Sequence, residues 1–428
     1  MILTWCALLA EGCLCFILGI YDLFNEKTLA ALSSAIIFIN VLVGFCDLLK
    51  QKENWKISLV MFGGFIFRIM LLFWDLNFSH IFRFPDSGLD TLTFQYAAQN
   101  VYDGLSAGRA GLYAQTIAYG IYTLFGPQPI LGQYTNILLA MSSIIIVKNT
   151  LKKIEADEKS IFAVVLIMSF LPYYAMNNTL LLRETINQFL IAASLYFFVG
   201  WFKDGYVSKF IIAIVISLLS SAYHSGTIAV AAAYCICCVL YDRENKRFKF
   251  EAKTIVLIIV FIFVFMAINA TMGDKLFRKF KNVESAEDIT RVTETYNAGG
   301  ASYDVGIETG NALLDMIVNT PLRMIYFVLS PVPWKWRGAN DILAFMCSAA
   351  LYGYAYIIAI KALKQKDFKN KNMIIVCIII ALMSAMIFAW GVSNAGAALR
   401  HRDKFICPYL ILLGLSLNFK NDDGEVQG

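Results

Sequence analysis

The chain has 428 residues, 59% of them hydrophobic and 16% charged, with a mean hydropathy of +0.63. A soluble domain carries charge on about a quarter of its residues, so a soluble globular protein is excluded. The net charge of +5 says little, because the placement of cations outweighs their sum in such a chain, and no nucleic-acid partner is expected.

Apolar runs of about 17–22 residues recur along the chain, matching the roughly 20 that cross a bilayer core as a helix. The short alternating segments of a membrane β-barrel are absent. The fold class expected is therefore an all-α polytopic membrane protein. The ten cysteines fall in or beside apolar runs, where cysteine acts as a small hydrophobe, so no disulfide framework is expected. "CICC" (235–238) lacks the partner ligands and polar setting of a metal site.

In chain order, the first stretch, "MILTWCALLAEGCLCFILGIYDLF", has no basic n-region and no small-residue cleavage site, so it reads as an uncleaved span. Spans are expected over 3–22, 28–48, 57–74, 128–147, 161–176, 185–201, 209–224, 225–241, 254–271, 341–360, 373–391 and 404–418. Five Lys/Arg-rich links, 50–56, 148–159, 203–209, 242–253 and 361–371, then belong on the cytoplasmic side. That orientation holds if 110–126 and 313–333, each interrupted by polar residues or proline, lie as interfacial or re-entrant helices on the outer side. About twelve spans result, in one domain over 1–428 with both termini cytoplasmic. The external face receives a loop over 75–127 and a segment over 272–340. Arg68, inside the third span, is costly there unless paired; Glu11 of the first span is its expected partner.

Chemistry-bearing residues gather on the expected external face. In "RFPDSGLDTLTFQYAAQNVYDG" (83–104), Pro85 breaks an incoming helix. Asp86 or Ser87 suits the N-cap, with Asp90 in the first turn. Asp86 and Asp90 then share a helix face, either as general base or metal ligand, or as parts of a capped interfacial helix. Arg183 and Glu184 mark the change from one apolar run to the next. His224 lies in a tight turn between two spans, where a hydrogen-bonded structural histidine competes with a catalytic one. "SPVPWKWRG" (330–338) alternates Lys335 and Arg337 with Trp334 and Trp336. Interfacial aromatics anchor a chain, yet interleaved with cations they could also stack on a sugar and grip its phosphate; Arg323 lies just upstream. Finally "RHRDK" (400–404) sets Arg400 and Arg402 around His401. Guanidinium groups suit bidentate phosphate binding, against the alternative of snorkelling anchors.

"PDSGLDTLTFQYAAQNVYDG" and the following "GLYAQTIAYGIYTLFGPQPILGQYTNILLAMSSIIIV" resemble the first external loop of the GT-C glycosyltransferase superfamily. "LLRETINQFLIAASLYFF", "YHSGTIAVAAA" and "RHRDKFICPYL" look like polysaccharide repeat-unit polymerases of the Wzy type. The resemblance implies a GT-C-like fold in a bacterial cytoplasmic membrane, serving capsule, O-antigen or exopolysaccharide assembly. Its donor would be a polyprenyl-phosphate or pyrophosphate sugar used at the outer leaflet, with a glycan acceptor. It implies Asp86 as base, Asp90 supporting it or sharing a divalent metal, and His224 or His401 as an alternative base. Arg183, Arg323, Lys335, Arg337, Arg400 and Arg402 would hold phosphate, with Trp334 and Trp336 stacking on sugar. Membrane lipid, a chain-length regulator and a flippase are the implied partners. The rivals are a flippase or exporter of lipid-linked oligosaccharide and, with less to support it, a membrane acyltransferase using His224.

Overall fold

A computed structural model describes residues 1–50, 54–249, 302, 305–307, 309, 312–365, 368 and 370–417. Of the described residues about 81% are helical, and the paired strands among them are a two-stranded hairpin, β1 (Tyr241–Asp242) and β2 (Arg247–Phe248). The all-α expectation holds.

Helix α1 (Ile2–Ile17) ends where Gly19 takes a left-handed conformation. Helix α2 (Glu26–Leu49) starts on the Asn25 side chain, which accepts from the Thr28 amide at 3.0 Å. Then follow α3 (Trp55–Asn77), α4 (Leu89–Tyr102) and α5 (Gly111–Ile117), which continues through a π turn to Phe125. Next come α6 (Pro129–Lys153), α7 (Glu158–Phe170), α8 (Pro172–Thr179), α9 (Glu184–Asp204), α10 (Val207–Tyr223) and α11 (Ile228–Leu240). After the hairpin are α12 (Ala312–Leu329), α13 (Ala339–Lys364, with a π turn at Phe345–Ala349), α14 (Lys371–Gly391), α15 (Ala395–Asp403) and α16 (Ile406–Leu417).

Six of these, α2, α3, α6, α9, α13 and α14, are long and apolar enough to cross a bilayer. A seventh crossing is α7 with α8 if that bent pair counts as one. The remaining expected spans are shorter apolar helices: α1, α10, the stretch Ser225–Leu240 and α16. The expected span 254–271, most of the external segment 272–340 and the last residues from 418 lie outside the described residues. Of the two stretches expected not to cross, 111–125 is one helix with a π turn, and α12 carries Pro321 inside it.

Residues expected as one domain pack as two compact units. The first comprises Met1–Lys148 with Ile161–Phe189, the second Asn149–Ser160 with Leu190–Gly428. No linker or change of composition marks the division.

Inside the first unit, α7 and α8 meet at a 53° bend. Pro172 has no amide hydrogen, so the Met168 carbonyl loses its helical donor. Arg68 replaces it: Nη2 donates to Met168 O at 2.7 Å, and Nη1 to Ser169 O at 2.8 Å and Gly64 O at 3.1 Å. The side chain is wholly buried, 5.4 Å from the Tyr174 ring. Glu11, its expected partner, instead accepts from the Asn40 side chain. Backbone carbonyls exposed by a break are better acceptors for a buried guanidinium than a distant carboxylate, because both orphans are satisfied without a second desolvated charge.

Candidate functional site

The N-terminal turns of α2 and α6 and the C-terminal turn of α3 meet at one end of the first unit around a cleft of about 530 Å³. The C-terminal turn of α2 therefore lies at the other end of that 24-residue helix, some 36 Å away. Asp75 enters the cleft from the last turn of α3, with Arg83, Ser87 and Thr91 from the loop and first turn of α4, and Gln128 and Gln133 from the start of α6. Leu181, in the unwound stretch between α8 and α9, forms one apolar wall, and Phe73 and Leu92 contribute others.

Asp75 is the acid of this cleft. It accepts from Gln133 Nε2 at 3.4 Å and from the Ser87 hydroxyl, with the Arg83 charge nearby. Its placement depends on the turn at 84–88, where the Ser87 amide donates to Phe84 O at 3.0 Å. Gly88 has φ +112°, and a Cβ there would meet the Arg83 guanidinium at 3.0 Å. A side chain at 88 would be strained by the backbone. Upstream, Trp74 Nε1 donates to Phe82 O at 3.1 Å, tying the loop to α3.

The expected Asp86–Asp90 pair takes a different form. Gly88, and not Asp86 or Ser87, is the N-cap of α4, and Thr91 supplies the capping side chain: its Oγ1 accepts from the Gly88 amide at 2.9 Å. Asp90 keeps its place in the first turn. Asp86 lies outside the helix, so the shared face is lost. Neither borders the cleft. Among the described residues no group of three or more His, Cys, Asp or Glu could hold a metal ion.

Arg183 packs 5.7 Å from the Phe94 ring, on α4 beside the cleft residues Leu92 and Gln95. Glu184 is buried in the first turn of α9. The unwound stretch before it is held by Asn136, whose amide group donates to Leu180 O at 2.7 Å, Leu182 O at 3.0 Å and the Tyr113 hydroxyl at 3.0 Å. That amide fixes the wall carrying Leu181.

In the second unit, His224 and His401 are brought together from 177 positions apart, with ring centroids 5.2 Å from each other and about equally far from Phe388. Lys404 is fully buried and hydrogen-bonds His401 Nδ1. Arg400 is half-buried in the last turn of α15.

Arg402 points the other way and is 1% exposed. Its Nη1 donates to Phe327 O, Val328 O and Ser330 O at 2.8–3.0 Å, and Nε to Ser348 Oγ at 3.0 Å. These carbonyls are the orphan acceptors at the end of α12, so the expected phosphate ligand closes a helix instead. Arg402→Leu should lower stability by roughly 3 kcal/mol, the cost of buried carbonyls left without donors, measured as a lower melting temperature of the purified protein in detergent.

Of the remaining candidates, Lys335, Trp336 and Arg337 border a hollow of about 280 Å³ together with Tyr326, and Trp334 and Arg323 do not. Trp336 Nε1 donates to Pro331 O at 2.9 Å, and its ring meets Phe345 edge-on. Exposed Trp334 donates to the Tyr326 hydroxyl at 3.2 Å. Lys335 Nζ is 5.6 Å from the same ring. Arg337 forms a two-pronged pair with Asp341, both contacts at 2.9 Å, which raises the guanidinium pKa above its ordinary value. Arg337→Ala should cost no more than about 1 kcal/mol, since the arginine is half exposed and screened by solvent; a melt shift of only a degree or two is expected. Arg323 is buried with its guanidinium 4.5 Å over the Trp390 ring, and Trp390 donates to Thr320 Oγ1 at 2.9 Å.

Residues the sequence did not single out are Asp75, Arg83 and Gln133. A signal for Asp75 was present: an acid in the last turn of an apolar span is a functional candidate by default.

Compared with family models, curated proteins and solved structures, the chain matches none. The fold and these sites define a class: an all-α membrane protein with an acid-bearing polar cleft at one end of a helical unit.

Proposed function

We propose that the protein is a membrane glycosyltransferase or oligosaccharide repeat-unit polymerase. In this reading it uses a polyprenyl-(pyro)phosphate sugar at the outer leaflet of a bacterial cytoplasmic membrane, in capsule, O-antigen or exopolysaccharide assembly. The cleft carries the reading. It places one oriented carboxylate and one guanidinium among hydroxyl and amide side chains, at the end of the first unit where α2 and α6 begin and α3 ends.

Side-chain amides and hydroxyls that both donate and accept suit a polyhydroxylated ligand. Asp75 would take the proton of the attacking acceptor hydroxyl, while Ser87 and Gln133 hold the carboxylate in place. Arg83 would meet the charge that develops on the departing phosphate. A single inverting displacement needs a base and stabilisation of the leaving group, and no covalent intermediate. No step runs through Asp86 and Asp90 as a metal pair.

A second reading, a flippase or exporter of lipid-linked oligosaccharide, draws on the bent α7–α8 pair and the unwound stretch before α9, since transporters use discontinuous helices at their binding sites. Sidedness separates the two. In cells lacking the protein, an enzyme at the outer leaflet leaves lipid-linked repeat units accumulating outside and no polymer. Accumulation on the inner leaflet would overturn the transferase reading in favour of transport.

A further inference from the structure

Four cations from four elements of the second unit meet near Gly200, and the proposed chemistry uses none of them. Lys153 ends α6, Lys203 is in the last turn of α9, Lys209 lies in the first turn of α10, and Arg243 is in the hairpin turn. A Cβ at Gly200 would lie 2.7 Å from Lys153 Nζ and 3.0 Å from Lys209 Cδ. The missing side chain is what lets both lysines enter the same notch.

Each cation also has an aromatic or backbone support. Lys153 Nζ is 4.2 Å from the Tyr196 ring, Lys209 Nζ 5.0 Å from Tyr206, and Arg243 5.5 Å from Trp201. Arg243 donates to Trp201 O at 3.3 Å, and Lys203 to Lys153 O at 3.0 Å. Two carboxylates answer them: Glu155 pairs with Lys203 and Asp204 with Lys209. Asp242, in the same hairpin, is taken by Lys249. Four cations against these two acids leave an excess of two positive charges at the notch. Cations that only snorkel need to reach water and gain nothing by converging, since like charges repel.

An apolar track starts at the same place. Val207, Ile211, Val215 and Leu219 of α10 are spaced by four and are 64%, 54%, 58% and 46% exposed. Spacing by four puts them in one stripe along the helix, running away from Tyr206 and Lys209. Charge at one end and a greasy stripe below it match one occupant, a lipid with an anionic head.

We propose that this notch is a binding site for an anionic phospholipid, with its phosphate among Lys153, Lys209 and Arg243 and an acyl chain along α10. Basic groups beside a membrane surface each strengthen binding of anionic lipid several-fold.

The test uses full-length protein, delipidated in detergent and offered equal amounts of phosphatidylglycerol and phosphatidylcholine, with bound lipids counted by native mass spectrometry. Phosphatidylglycerol should be retained about tenfold over phosphatidylcholine. Lys153→Gln with Lys209→Gln should remove that preference. Arg243→Gln, at an exposed turn position, should weaken it without touching a helix end. Lys361→Gln with Lys364→Gln, in the last turn of α13, should leave it unchanged. Equal retention of the two lipids, or an equal loss in the α13 control, would overturn the proposal; so would unchanged preference in both notch variants.

Discussion

Asp75→Asn is expected to lower glycan transfer by about 10²- to 10⁴-fold, the usual contribution of a positioned general base, while the amount of protein in the membrane stays the same. Asparagine fills the same volume and can still hydrogen-bond Gln133 and Ser87, so the cleft keeps its shape and loses only its proton acceptor. Asp75→Glu should retain more activity than the asparagine variant, because the base survives at a shifted position. Asp86→Asn and Asp90→Asn should stay within a few-fold of the parent, since neither residue borders the cleft. The measurement is polymer formed per protein from a lipid-linked repeat unit. The reverse pattern, with Asp86→Asn inactive and Asp75→Asn active, would return the chemistry to the pair after Pro85.

Arg68→Met is expected to be among the most damaging single changes in the first unit. Methionine fills much of the arginine's volume, so the loss is specific to hydrogen bonds. The Met168 and Ser169 carbonyls would be left buried without a donor, at about 1–3 kcal/mol each, or roughly 4 kcal/mol together. The melting temperature in detergent should fall accordingly, and protease should cut nearer the bend. Pro172→Ala supplies a built-in check. An alanine restores the amide hydrogen that bonds the carbonyl four residues back, here Met168. Combined with Arg68→Met it should recover part of the loss, so the two changes are non-additive. Simple additivity would mean that Arg68 does not stabilise the break.

The helical membrane class and most helix positions were legible because apolar length is the strongest signal a membrane chain offers. What the sequence hid follows from a few residues. Pro172 was in plain view inside the expected span 161–176, yet what makes the bend tolerable is Arg68, a hundred positions upstream, and only the folded chain brings them together. Arg402 read as a free cation beside Arg400 and His401. One helical step of about 100° turns it inward, onto carbonyls of α12. The Asp86–Asp90 face failed over a two-residue shift of the N-cap, set by the left-handed Gly88 and by Thr91. Asp75 is the first residue past the expected span 57–74, and only the folded chain carries that helix on to Asn77 and sets the acid against Gln133 and Ser87.

The abbreviated helices have a consequence for where this protein can work. Helices α1 and α10 hold 16 and 17 residues. At 1.5 Å per residue they reach about 24 and 26 Å, against a hydrocarbon layer of about 30 Å. Surrounding lipid must dimple toward them, at a fraction of a kcal/mol per Å of mismatch. Bilayers of shorter acyl chains relieve that deformation, so reconstituted protein should be better tolerated in thin membranes than in thick, sterol-stiffened ones.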